Sequence, residues 1–113
     1  MFLYKLKLED NCWYVGISKN PEARVRNHCK GKGAAWTRLH KPLVPAVVKI
    51  TNLGKVSEKL AEWKEDKATE RMQKRYGLNK VRGGYTVSCR NMRVRPNRGK
   101  ARWYYHKYVK KRV

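Results

Sequence analysis

The stretch from residue 2 to residue 18 restricts the fold more than any other part of the chain. "FLYKLKL" (Phe2–Leu8) alternates apolar and basic residues, the period-two pattern of a half-buried strand. "EDN" (Glu9–Asn11) supplies turn residues, and "CWYVGIS" (Cys12–Ser18) reads as a second strand. Two such runs across a short polar turn predict an antiparallel hairpin. Successive side chains point to opposite faces of a strand. With a three-residue turn centred on Asp10, Tyr4, Tyr14 and Gly16 share one face, position 4 lying opposite position 16 and Tyr14 on the diagonal. A glycine there leaves room for a tyrosine ring and for a ligand approaching the sheet. The plainer reading is an aromatic–glycine packing pair.

Helix signals follow directly. Asn20 is a good N-cap, Pro21 suits the first helical position and Glu22 suits the first turn. The glycines of "KGKG" (Lys30–Gly33) mark its end. "AAWTRLHKP" reads as a loop, and "AVVKI" (Ala46–Ile50) as a third strand. After the turn at Asn52–Gly54, a helix is expected from about Ser57 to Tyr76, stopping at Gly77, with "VRGG" (Val81–Gly84) as a tight connection. From Tyr85 onward the chain is basic and aromatic without apolar periodicity.

Charge narrows the function. The 113 residues hold 29 Lys+Arg against 8 Asp+Glu, a formal charge of +21. Every acid lies at or before Glu70, and residues 71–113 carry 15 Lys+Arg. Self-repulsion on this scale points to a polyanionic partner, namely nucleic acid. No long amphipathic helix suggests a membrane surface instead. Twelve aromatic residues and 41% hydrophobic content argue for a folded domain. Cys12, Cys29 and Cys89 are odd in number and far apart, so neither a zinc site nor a disulfide framework is expected. With no signal peptide and no apolar run near 18 residues, the expectation is a cytoplasmic, nucleoid-associated protein, or one working inside a host cell if viral.

Two helices offer candidates for chemistry. Arg24 and His28 are four apart, so both point the same way. Arg24 suits a phosphate oxygen, and His28 can donate to a phosphate or move a proton. In so basic a chain such a pair also fits a solvated helix face. On the second helix Ala61, Glu65, Ala68, Met72 and Tyr76 fall in one narrow arc. Glu58 does too, but as a first-turn acid it answers the helix dipole. Glu62, Asp66 and Glu70 fall outside and read as surface acids beside lysines. Glu65 is therefore a core-side carboxylate, which is costly to desolvate alone. It calls for a cation, either an arginine or a metal.

The order "FLYKL", "YVG", R-x-x-x-H, "KGKGAAWTRLHKP", a helix bearing "EDKAT" and then "YGLNKVRGG" resembles the GIY-YIG endonuclease family over roughly residues 2–84. "FLY" stands where the family writes G-I-Y, with Phe2 in place of glycine, and "YVG" where it writes Y-I-G. "GKGAAWTRLHKPLVPAVV" looks like the structure-specific branch that cuts flaps and junctions. "EDKAT…RMQKRYGLNKVRGG" looks like small viral or phage members.

The resemblance implies an α/β (α+β) fold with a three-stranded antiparallel sheet flanked by helices. It also implies hydrolysis of a DNA phosphodiester with Mg²⁺ or Mn²⁺. Residue by residue, it implies Tyr4 as candidate general base, Tyr14 and Gly16 as the second motif, and Arg24 on the transition-state phosphate. His28 becomes a proton helper and Glu65 the sole protein ligand of the metal. The family's further polar residue after the glutamate has Asn79 as its nearest counterpart.

Residues 1–84 form the nuclease-like unit in this reading. Residues 85–113 form a basic extension packed on it that holds DNA, with Trp103, Tyr104, Tyr105 and Tyr108 available for unpaired bases. Expected DNA contacts are Lys30, Lys32, Arg38, Arg82, Arg90, Arg93, Arg95, Arg98 and Arg102. The DNA is duplex, flapped or branched, with targeting left to the tail, a partner protein or homodimerisation. The rival reading is a non-catalytic nucleic-acid-binding module.

Overall fold

A computed structural model describes residues 1–84, 86 and 89–93. Strands β1 (Phe2–Leu8) and β2 (Trp13–Ser18) form the antiparallel hairpin, with Tyr4 opposite Gly16 and Leu6 opposite Tyr14. Asp10 and Asn11 turn the chain with φ of 61° and 58°. That left-handed region is tolerated by Asp and Asn, whose short polar side chains bond locally.

Helix α1 (Pro21–Cys29) opens where its start signals stand, and the Asn20 side chain accepts from the Ala23 N–H at 3.3 Å. The expected loop holds a short helix, α2 (Ala35–Leu39), too brief for a periodic signature. β3 (Pro42–Asn52) is longer than its apolar centre suggested, and it pairs antiparallel with β1 through two irregularities. Helix α3 (Glu58–Tyr76) is capped by Ser57 Oγ, which accepts from the Leu60 N–H at 3.1 Å, and it ends at Gly77 with φ 112°.

The sheet differs from expectation in one respect: it has four strands, ordered β3–β1–β2–β4. The expected tight connection contains β4 (Val81–Gly83), which runs parallel to β2 and pairs Trp13–Val15 with Val81–Gly83. Three residues give no pattern of their own. They become a strand because α3 carries the chain back to the open side of β2, where all three are buried.

The two sheet faces are covered by different helices. Tyr4, Leu6 and Leu8 pack with Cys12, Trp36 and Ala46, and with half-buried Tyr14 and Val25, on the α1–α2 side. Val15 and Val81 pack with Ala68 and Met72 of α3 on the other side, joined by Leu3 and Trp13. Burying an aliphatic side chain of this kind contributes roughly 1.5–3 kcal/mol. Among the described residues no helix is long and apolar enough to cross a membrane.

Candidate active site

Tyr4 anchors the site. Its ring is fully buried between β2 and α1, and its Oη lies 2.9 Å from His28 Nε2. Tyr14 completes an aromatic triangle, its ring centroid 6.3 Å from that of Tyr4 and 4.9 Å from that of His28. Gly16 makes this possible. A Cβ there would run into the Tyr4 phenol at Cζ and Oη. Gly16→Ala is therefore expected to push the Tyr4 hydroxyl off His28. The overpacking costs about 1–3 kcal/mol, read as a lower Tm with circular dichroism otherwise native.

His28 is held as tightly as Tyr4. It is buried, and its Nδ1 accepts from the Ala34 backbone N–H at 3.3 Å, with Thr37 Oγ1 at 3.1 Å. Thr37 Oγ1 also lies 2.7 Å from the Ala34 carbonyl, so its one hydrogen can turn to that oxygen or to Nδ1. A backbone N–H always carries its hydrogen, whereas a hydroxyl hydrogen turns to suit its neighbours. Nδ1 is thus the acceptor and Nε2 carries the ring proton, which it donates to Tyr4 Oη. Burial, with Arg24 nearby, lowers the His28 pKa to about 4. The imidazole is neutral at working pH, with its hydrogen aimed at the phenol. Gly33 lies against this ring, and any Cβ there would strike Nδ1.

Arg24 is exposed on α1, one turn before His28, and close enough to Tyr4 to lower its pKa. The large basic surplus suggests a lowered Tyr4 pKa, but the structure reverses that expectation. Burial raises it and outweighs the lowering by Arg24, with Glu65 adding a smaller rise. Tyr14 is also raised, by burial first and then by Tyr4 and Glu65. Most of the chain's cations are solvated and distant, so their charge is screened at the buried phenols.

Glu65 reaches this cluster from α3, on the opposite face. β4 pairs with β2 only as far as Val15, which leaves the edge of β2 open beyond that residue. There the Ile17 backbone N–H lies near the Glu65 carboxylate and opposes the rise in its pKa. Burial pushes its pKa up to about 8, with Asp66 and Glu62 adding to the rise and Ile17 and Arg24 opposing it. Tyr4, Tyr14, Arg24, His28 and Glu65 thus occupy one neighbourhood, built from β1, β2, α1 and α3.

The remaining expectations divide. Lys30, Lys32, Arg38, Arg90 and Arg93 are exposed. Arg82 is not a DNA-facing cation. It is 1% exposed, and its guanidinium donates to the carbonyls of Leu78 (Nη1, at 2.6 Å) and Arg90 (Nη2, at 3.0 Å), and from Nη2 to Asn79 Oδ1 at 3.0 Å. Asn79 faces inward too, donating to the Met92 carbonyl at 2.9 Å. Arg95, Arg98, Arg102, Trp103, Tyr104, Tyr105 and Tyr108 lie outside the described residues.

Asp66 is not a surface acid. It is 2% exposed beneath Gly84, whose φ of 54° brings backbone so close that a Cβ would strike the carboxylate. Thr37, Ala34 and Gly33 carry no sequence signal for their part in holding His28, beyond the glycines that mark a close approach.

Comparison with known proteins agrees with this geometry. The GIY-YIG catalytic domain family matches residues 1–76. UPF0213 protein NMA2126 of Neisseria meningitidis is 44% identical over 46 residues, covering 41% of this chain and 50% of that protein. UPF0213 protein YazA of Bacillus subtilis is 40% identical over 42 residues, 37% of this chain and 42% of its own. UPF0213 protein SERP0126 of Staphylococcus epidermidis is 40% identical over 73 residues, 65% of this chain and 87% of its own. The chain spans about half the length of the first two. No solved structure matches it.

Proposed function

The chain belongs to the GIY-YIG family, and from that premise we propose that it is a metal-dependent endonuclease hydrolysing a DNA phosphodiester bond. The observation that carries the reading is the convergence of Tyr4, Arg24, His28 and Glu65 on one neighbourhood from both faces of the sheet.

The residues fit a divalent metal held by one protein ligand. Among the described residues there is no group of three or more His, Cys, Asp or Glu able to form an all-protein cage. Glu65 is a carboxylate whose pKa burial raises to about 8, so a cation beside it is favoured. Mg²⁺ is commonly bound by one or two carboxylates, with water and substrate phosphate filling the other positions. When bound, the metal neutralises charge on the phosphate and the leaving oxygen.

The protein's own groups divide the remaining work. Arg24, exposed and beside the buried pair, meets the phosphate oxygens and stabilises the charge that grows on them. Tyr4 takes the proton of the attacking water. Burial opposes its ionisation, but the His28 Nε2–H donor and the nearby Arg24 charge favour the phenolate. His28 acts here as a positioning donor rather than a base, because a neutral ring whose pKa is about 4 does not hold a second proton near pH 7. Tyr14 stays a phenol and can donate its hydrogen to substrate.

The direct test is supercoiled plasmid and labelled branched DNA with and without Mg²⁺. Cleavage only with the metal supports the nuclease; tight binding with no cleavage at any metal concentration makes the chain a binding module. The Glu65 pKa adds a second check. Its folded-state value, about 8, lies above the ordinary 4.5, so metal must displace a proton below pH 8. Apparent Mg²⁺ affinity is expected to rise about tenfold per pH unit up to pH 8 and then level off. Calorimetric titration between pH 6 and 9 reads this, and a flat profile would remove Glu65 as the ligand.

A further inference from the structure

The sheet face opposite Tyr4, Arg24 and His28 is lined with unbalanced positive charge. Lys64, Lys67, Arg71 and Arg75 recur at spacings of three and four along α3, so they form one stripe on the helix. Across from this stripe, Lys5 of β1 sits directly opposite Lys49 of β3. Like charges so paired are destabilising. Between the two rows runs a groove of about 370 Å³, with Lys5, Lys49, Lys64, Lys67 and Arg71 around it and Leu3, Leu53 and Ala68 among its apolar lining. Lys67 has Glu70 at 3.6 Å, but no carboxylate lies within ion-pair distance of Lys5, Lys49, Lys64 or Arg71 among the described residues. Residues 71–113 contain no acid, so none of their side chains supplies the missing charge. Burial, then the neighbouring Lys49, Arg71 and Arg75, lower the Lys5 pKa.

We propose that this groove holds an unpaired strand of the DNA substrate, its phosphates clamped between Lys5–Lys49 and the α3 stripe, while the duplex lies on the catalytic face. The proposal rests on the nuclease reading and deepens it: the substrate is duplex with a single-stranded arm that passes to the back of the sheet. A cationic groove with an apolar floor suits a single strand, whose backbone can enter a narrow channel. The volume is that of a small-ligand cleft, matching one or two nucleotides and too small for a duplex.

The test measures binding without metal, so it is independent of whether the protein cuts. Fluorescein-labelled linear duplex and the same duplex with a single-stranded oligothymidine flap are titrated against two variants of the full chain. The first combines Lys49→Glu, Lys64→Glu and Arg71→Glu. The second keeps the charge with Lys49→Arg, Lys64→Arg and Arg71→Lys. The charge-reversed protein should bind the flapped DNA at least tenfold more weakly and the linear duplex less than about threefold more weakly. Losing about three single-strand phosphate contacts should make the slope of log K against log salt shallower by about 2 for flapped DNA alone. The charge-preserving variant should match wild type. If flapped and linear DNA weaken equally, or neither weakens, the groove does not hold the arm. Failure of the nuclease reading would show separately, as no Mg²⁺-dependent cleavage of either DNA by the wild-type protein.

Discussion

Glu65→Ala is expected to abolish Mg²⁺-dependent cleavage while leaving DNA affinity within about twofold of wild type. A bound metal contributes several kcal/mol of transition-state stabilisation, and at about 1.4 kcal/mol per factor of ten its loss costs about 10³-fold or more. Affinity survives because the phosphate-contacting cations, which dominate binding, are untouched. The fold should survive too. The Glu65 carboxylate is strained by burial, with its pKa pushed to about 8, so removing it relieves desolvation. Single-turnover cleavage and anisotropy on one preparation check both halves. Cleavage at the wild-type rate would show that Glu65 is not the ligand.

Arg24→Ala should lower the single-turnover rate at saturating protein by about 10²–10³-fold, the usual loss for one preorganised electrostatic group. Arg24 is exposed and lies near the Tyr4 phenol, whose pKa it lowers. The variant thus loses charge at the phosphate and a nearby charge that favours the phenolate. The second loss has its own signature. Without Arg24 the raised Tyr4 pKa rises further, so the rising limb of the pH–rate profile should move to higher pH. A variant with a normal rate and only a weaker dissociation constant would place Arg24 in binding alone. Arg24→Lys, a point charge without the planar fork, should recover only part of the rate.

Local chemistry carries much of the fold into the sequence. The parity of "FLYKLKL" and "WYVGIS" places Tyr4 opposite Gly16, because side-chain alternation is a property of any strand and the turn length is readable. Asn20-Pro21-Glu22 and Ser57 set the starts of α1 and α3 because capping needs only neighbours. The R-x-x-x-H spacing aligns Arg24 with His28 for the same reason. Glu65 stands out because one helical arc mixes a carboxylate with Ala61, Ala68 and Met72.

Tertiary structure decides what depends on distant segments. β4 has three residues and no pattern, and it becomes a strand only because α3 delivers it to the free edge of β2. The short reach of that strand leaves the Ile17 N–H open near Glu65, which lets a residue of the far face join the site. Asp66 and Arg82 look like surface charges by composition, yet both are buried, one beneath Gly84 and one by its bonds to the carbonyls of Leu78 and Arg90. The direction of the Tyr4 pKa was also settled here, because desolvation depends on what surrounds a group while net charge is screened by solvent. Residue types and spacings thus determine which groups are offered to the site. Packing decides which of them meet, which are desolvated, and therefore which protons they hold.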